Sequence, residues 1–208
     1  MPGTPEWKRF TSTVETIEAC RIPDDILRSL STKDLWDVCL KYPLLSQYTA
    51  SNSPYKGIQA IISVFNGLTE LMNREDANKV IYSHYLNENV ADIDEVKDKG
   101  AYTFDYCAVE LILAQKQIIS RFTREEQLVV MSTMLQKYSE KQKYSEYFGL
   151  FGKISTVFAA NKYAESTGKR HDTQREQTKL FTEEMLLTDG VDVDILLNEL
   201  FEYQKSTK

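Results

Sequence analysis

The stretch that decides the fold is residues 101–122, Ala-Tyr-Thr-Phe-Asp-Tyr-Cys-Ala-Val-Glu-Leu-Ile-Leu-Ala-Gln-Lys-Gln-Ile-Ile-Ser-Arg-Phe. Its apolar residues, among them Tyr102, Phe104, Tyr106, Val109, Leu111, Ile112, Leu113, Ile118 and Ile119, run nearly all round a helical period. A helix without a wide polar face belongs in the middle of a helical core. Downstream, Thr123-Arg124-Glu125-Glu126 has the form of a capping box and opens a helix carrying Leu128, Met131, Met134, Leu135 and Tyr138. Ser145 reads as the cap of the next helix, which carries Leu150, Ile154 and Phe158 and stops at Gly168. Residues 169–180 are polar and weakly periodic, and a last helix starts at Asp192.

Upstream the punctuation is proline. All five prolines lie at or before Pro54. Pro5, Pro23 and Pro54 read as helix starts, where the missing N–H is one of the helix's unpaired donors anyway. Pro43 reads as a stop, and residues 44–53 as a loop. From Pro54 to Asn73 the polar residues Lys56, Gln59, Ser63, Asn66, Glu70 and Asn73 form one narrow stripe on an otherwise apolar helix. Asn73-Arg74-Glu75-Asp76 then caps a helix with Val80, Ile81 and His84 on one face, and residues 87–100 read as an acidic loop with a short helix. The fold class expected is all-α: an irregular multi-helix bundle or a stack of antiparallel helical hairpins, roughly nine to ten helices, with no significant sheet. One domain spans 1–208, with a subregion 1–52 of short helices packed on a main core 53–208.

Composition agrees. The 208 residues include only 8 Gly and 5 Pro, against usual usages of about 7% and about 5%, too few for the turns of a many-stranded sandwich or barrel. The net charge of −6, without a basic block, argues against nucleic acid and against a polybasic membrane-surface segment. No run approaches the ~18 apolar residues of a membrane span, so the chain reads as soluble. No charged-then-apolar leader opens it. The compartment is periplasmic or extracellular if an export signal has been removed, and otherwise cytoplasmic. Cys20, Cys39 and Cys107 have no metal-site spacing and read as small buried hydrophobes, Cys20–Cys39 being the one plausible disulfide.

Candidate chemistry is thin. His84 shares a face with Val80 and Ile81, as a general base at a pocket edge or a part-buried, satisfied histidine. His171 reads as solvated. Glu110 is the one carboxylate inside a very apolar run. It is either an acid of raised pKa or one member of a polar seam with Thr103 and Gln117, seven residues to either side. No cofactor loop, HExxH or di-iron pattern occurs, so no cofactor and no metal is expected. Asp189-Gly190-Val191-Asp192-Val193-Asp194 fails as a calcium loop, because Met185, Leu187 and Leu196 would fall at ligand positions. Asp189-Gly190 reads as a turn instead. The acidic group Asp92, Asp94, Glu95 and Asp98 reads as a solvated first turn. Lys137, Tyr138, Lys141, Lys143, Tyr144 and Tyr147 interleave base and aromatic, but Glu140 and Glu146 interrupt them. They read as a helix end and the next helix start.

Thr4-Pro5-Glu6-Trp7, Ile22-Pro23-Asp24-Asp25, Leu30-Ser31-Thr32, Cys39 to Leu45 and Phe65 to Leu71 together resemble an uncharacterised family of all-helical, usually exported proteins of anaerobic gut bacteria. The resemblance covers about residues 4–75. Its motifs are caps, a helix stop and a core helix, and it implies an exported helical protein with no particular activity. The leading functional expectation is a non-catalytic helical protein that binds another protein or a peptide. Its 12 tyrosines supply amphipathic contact surface. The alternatives are an enzyme with a dispersed site around His84, using Glu110, Tyr102 and Tyr106, and a structural component of a cell-envelope assembly.

Overall fold

The computed structural model describes residues 3–169, 176–188 and 191–207. His171 and the expected Asp189-Gly190 turn lie outside them. The described residues are all-α, with no strand. The helices are α1 Thr13–Ala19, α2 Asp24–Ser29, α3 Thr32–Leu40, α4 Pro54–Val64, α5 Asn66–Asn73 and α6 Ala77–Asn87. They continue with α7 Lys99–Leu113, α8 Lys116–Ile119, α9 Arg124–Lys143, α10 Ser145–Ser166, α11 Glu176–Glu184 and α12 Val193–Ser206. Ten of these have seven or more residues. None is long and apolar enough to cross a membrane.

Several helix starts follow from the caps in the sequence. Ser31, Ser53 and Thr123 each accept a backbone N–H of the first turn, and Thr123 and Glu126 close a reciprocal capping box. Asp192 accepts from the backbone of Asp194 and Ile195. Others differ. The expected first helix divides into a 3-10 turn at Trp7–Arg9 and α1, because Phe10 is extended and Ser12, not Thr4, caps the α-helix. Ser145 makes no capping bond. Asp76 spends its carboxylate on the Thr32 hydroxyl at 2.6 Å rather than on its own helix. Residues 45–50, expected as loop, form a 3-10 turn whose Leu45 and Tyr48 are buried.

Two expected long helices are broken, in each case where other elements take over the freed backbone groups. The 54–73 helix breaks at Phe65, which turns inward to stack on Tyr42 at 4.0 Å. Asn66 then clamps Ile22, accepting from its N–H at 3.1 Å and donating to its carbonyl at 2.7 Å. The Thr69 hydroxyl donates to the Ile62 carbonyl at 2.5 Å. The 101–122 helix ends at Leu113, and α8 follows after Gln115. Carbonyls orphaned at that end accept from Gln115 Nε2 (Leu111, 2.8 Å), Tyr163 Oη (Leu113, 3.0 Å) and Tyr55 Oη (Ala114, 3.4 Å).

Helices α9 and α10 make the most extensive contact, and α7 lies against α10, α6 and α4. That places α7 at the centre, with Tyr106–Leu113 buried throughout. The buried apolar side chains form one continuous cluster from Ile22 to Leu200, so the N-terminal helices share the core of the rest. At one point backbone meets backbone: a Cβ on Gly57 of α4 would fall on the carbonyl of Tyr48. Gly57→Ala gains about 1 kcal/mol of helix propensity, but overpacking against a backbone atom costs more, about 1–3 kcal/mol. The expected outcome is a lower urea midpoint. A midpoint at or above wild type would show that the 3-10 turn moves away freely.

Candidate functional site

Glu110, the carboxylate that stood out in the apolar run, lies wholly inside the protein, with its side chain and that of Lys141 both 0% exposed. Lys141 Nζ has three donors and three acceptors around it: Glu110 Oε1 at 2.9 Å, Thr156 Oγ1 at 3.0 Å and the Gly152 carbonyl at 3.1 Å. Glu110 Oε1 also accepts from the hydroxyls of Tyr85 and Thr156, each at 2.9 Å. Its Oε2 accepts from Ser155 at 3.2 Å. The rings of Tyr106 and Phe148 lie 4.2 and 4.9 Å from the ammonium, a cation–π arrangement that offsets part of the lost hydration. Gly152 lets Phe148 sit there, since a Cβ on it would meet Phe148 Cβ at 2.8 Å.

The polar seam expected along 103–117 does not form. Thr103 bonds back to the Lys99 carbonyl, and the break at Gln115 leaves Gln117 exposed on α8. Glu110 instead faces three other helices. Sequence reasoning missed Lys141, although a signal was present. Lys141 falls seven residues after Met134 and three after Tyr138, on the buried stripe of α9. One turn earlier, buried Lys137 donates to the Glu88 carbonyl at 2.5 Å and lies 4.9 Å from the Tyr85 ring. A lysine at the C-terminus of α6 complements the helix dipole there, and burial lowers its pKa.

His84 lies elsewhere, on the outer side of α6. Its ring meets Trp36 edge-on at 5.6 Å, and its Nε2 is 3.5 Å from Glu88 Oε2. With Trp36, Val80 and Lys79 it lines a shallow groove of about 500 Å³ between α3 and α6. The other expected partners of a dispersed site are turned away from it. Tyr106 is 0% exposed, with its hydroxyl unpaired, and Tyr102 donates to the Asn89 carbonyl at 2.7 Å. Burial drives the pKa of Tyr85, Tyr102 and Tyr106 above the usual phenol range, with the Glu110 charge adding to the effect at Tyr85 and Tyr106. Asp98 caps α7, and no group of three metal-ligating side chains comes together among the described residues.

The three cysteines are free thiols, so Cys20 and Cys39 do not pair. Burial pushes Cys39 up to about 12 and Cys107 up to about 11.

The more open surface lies across α9, α10 and the start of α12. Leu150, 64% exposed, and Leu187, 44% exposed, stand in a groove of about 800 Å³ with Ile154, Val193 and Tyr138. Lys153, Asp192 and Asp194 add charges of both signs to its lining. Leu150 follows Gly149, whose φ of +54° interrupts α10 and is open to glycine at little steric cost. No protein family, curated protein or solved structure matches the chain.

Two predictions follow from the buried groups. Lys141→Met leaves an unpaired carboxylate in the core and is expected to cost about 3–5 kcal/mol in urea unfolding. The double variant Glu110→Leu/Lys141→Met should recover most of that loss; no recovery would mean that the pair is not self-contained. Brief iodoacetamide treatment of native protein at pH 8 should add one carbamidomethyl group by intact mass, at Cys20, and three in guanidinium. Native labelling of Cys39 or Cys107 would contradict the packing around them.

Proposed function

We propose that this is a non-catalytic helical protein that binds a segment of another protein in the groove lined by Leu150, Ile154, Leu187 and Val193. The observation that carries this reading is a contrast in exposure. The fully buried ion pair of Glu110 and Lys141 is sealed and has its hydrogen bonds satisfied, whereas large aliphatic side chains such as Leu150 and Leu187 stand open on the surface. Buried, paired charges serve packing. Exposed apolar side chains that share one groove are the usual anchor of a protein contact. Lys153 and Asp192 in the same lining suit a peptide with apolar side chains flanked by both charge signs.

The test is selection of displayed peptides on the folded protein, followed by titration. Peptides selected on wild type should bind with micromolar Kd and weaken at least tenfold on Leu150→Glu. That substitution lies at an exposed position and should move stability by no more than about 0.5 kcal/mol. Selected peptides that bind Leu150→Glu unchanged, or a selection that yields none, would remove this reading.

A further inference from the structure

Helix α11 sits on the rest of the chain as a docked peptide would. Two side chains one turn apart are sunk: Phe181 at 0% and Met185 at 2% exposure. Phe181 meets the Phe158 ring edge-on at 6.0 Å, and Phe158 packs in turn on Tyr55 at 4.9 Å. Between these anchors Glu184 reaches the rim. Its carboxylate pairs with Lys56 at 2.7 Å, and its backbone carbonyl accepts from the Ser53 hydroxyl. The outward side carries Lys179 and Glu183, both more than half exposed. Two apolar anchors at i and i+4 with a charged rim contact are the contact pattern of a helix lying in a groove.

The attachment is also under tension. Met185 is the only residue other than glycine with positive φ among the described residues, at +57°. It holds the left-handed position of an αL-type helix end, in which Met185 N–H donates to the Phe181 carbonyl at 2.8 Å, and Leu186 N–H donates to the Leu180 carbonyl at 3.3 Å. Glycine normally fills that position, because a Cβ there is sterically penalised. Here burial of the methionine side chain holds the backbone in place. A nine-residue helix is also too short to persist by itself.

We infer that the seat formed by Ser53, Tyr55, Lys56 and Phe158 is a helix-binding site that α11 occupies in cis, and that it accepts in exchange an amphipathic helix of another protein. That helix would carry an aromatic residue, an acid three positions later and a long apolar residue four positions later. Leu187, two residues beyond Met185, also lines the Leu150 groove, so release of α11 would move one wall of that groove; the inference itself rests on the Phe181, Glu184 and Met185 contacts and not on the reading given for that groove. A fluorescein-labelled peptide of residues 176–188, which carries this pattern, is the probe. It is titrated by anisotropy with the full chain, with Phe181→Ala and with Glu184→Lys. The second variant changes only a part-exposed rim side chain and so tests the idea even if the first fails to fold. Because each variant weakens the cis helix and leaves the seat intact, the peptide should bind Phe181→Ala at least tenfold tighter than wild type, and Glu184→Lys about threefold tighter. A peptide carrying the Phe181→Ala change itself should bind neither. Equal binding to wild type and folded variants, or no binding up to millimolar peptide, would overturn the inference.

Discussion

The ion pair between Lys141 and Glu110 is the constraint on which the packing of the central helices depends. Removing two opposite charges from water costs several kcal/mol for each, and in an interior this apolar the cost is met only by specific geometry. Lys141 needs an acceptor along each of its three N–H directions, and finds them on α7 and at two positions of α10. Glu110 draws its other donors from α6 and α10. Leucines on facing helices can slip by a fraction of a turn at modest cost. An ammonium with three fixed partners cannot, so the register of α9 against α10, and of both against α7, is tied to this point.

The same logic explains where the chain departs from regular helix. A helix broken in the interior leaves carbonyls and amides that must be satisfied. The break after Leu113 is closed by Gln115 and by two tyrosines, Tyr55 and Tyr163, from helices on either side. The break at Phe65 is closed by Thr69 locally, and Asn66 uses the new direction of α5 to hold Ile22. Much of the buried polar content is therefore assigned to joints: the ends of α7, the start of α5, the C-terminus of α6 under Lys137. This helps explain how a chain with no proline after Pro54 can still turn sharply.

How much of this was legible in the sequence follows from how local each determinant is. The caps at Ser31, Ser53, Thr123 and Asp192 act within four residues, and could be read directly. The all-round apolarity of 106–113 could be read too, because burial on every side leaves such a pattern, although Phe104, read as part of the same run, is 40% exposed. The breaks at Phe65 and Gln115 were harder to read: Asn66-Gly67 stands beside the first and no proline or glycine marks the second, and beyond the local bonds of Thr69 and Gln115 the partners Ile22, Tyr55 and Tyr163 lie tens of residues away. Glu110 was conspicuous, but its partner was not. Lys141 stands among other lysines and tyrosines, and only its register with Met134 and Tyr138 distinguishes it from solvated neighbours such as Lys143. His84 was placed on the correct helix face, while its distance from the Glu110 cluster depends on how α3 and α7 flank α6, which no spacing rule encodes.

That division bears on function. In a catalytic site, buried ionisable groups are left short of partners, so that a substrate can complete the set. At the Glu110–Lys141 pair the chain fills the set itself: each N–H of Lys141 has an acceptor, and both oxygens of Glu110 have donors, while the neighbouring Tyr106 hydroxyl has no partner. Apolar surface is left open on the outside. Leu150 and Leu187 are 64% and 44% exposed, and Met185 holds a left-handed backbone conformation with its side chain buried. The demand left open is therefore of two kinds, polar at the Tyr106 hydroxyl inside and apolar at Leu150 and Leu187 outside, and the outer kind is what the proposal of a protein-binding groove rests on.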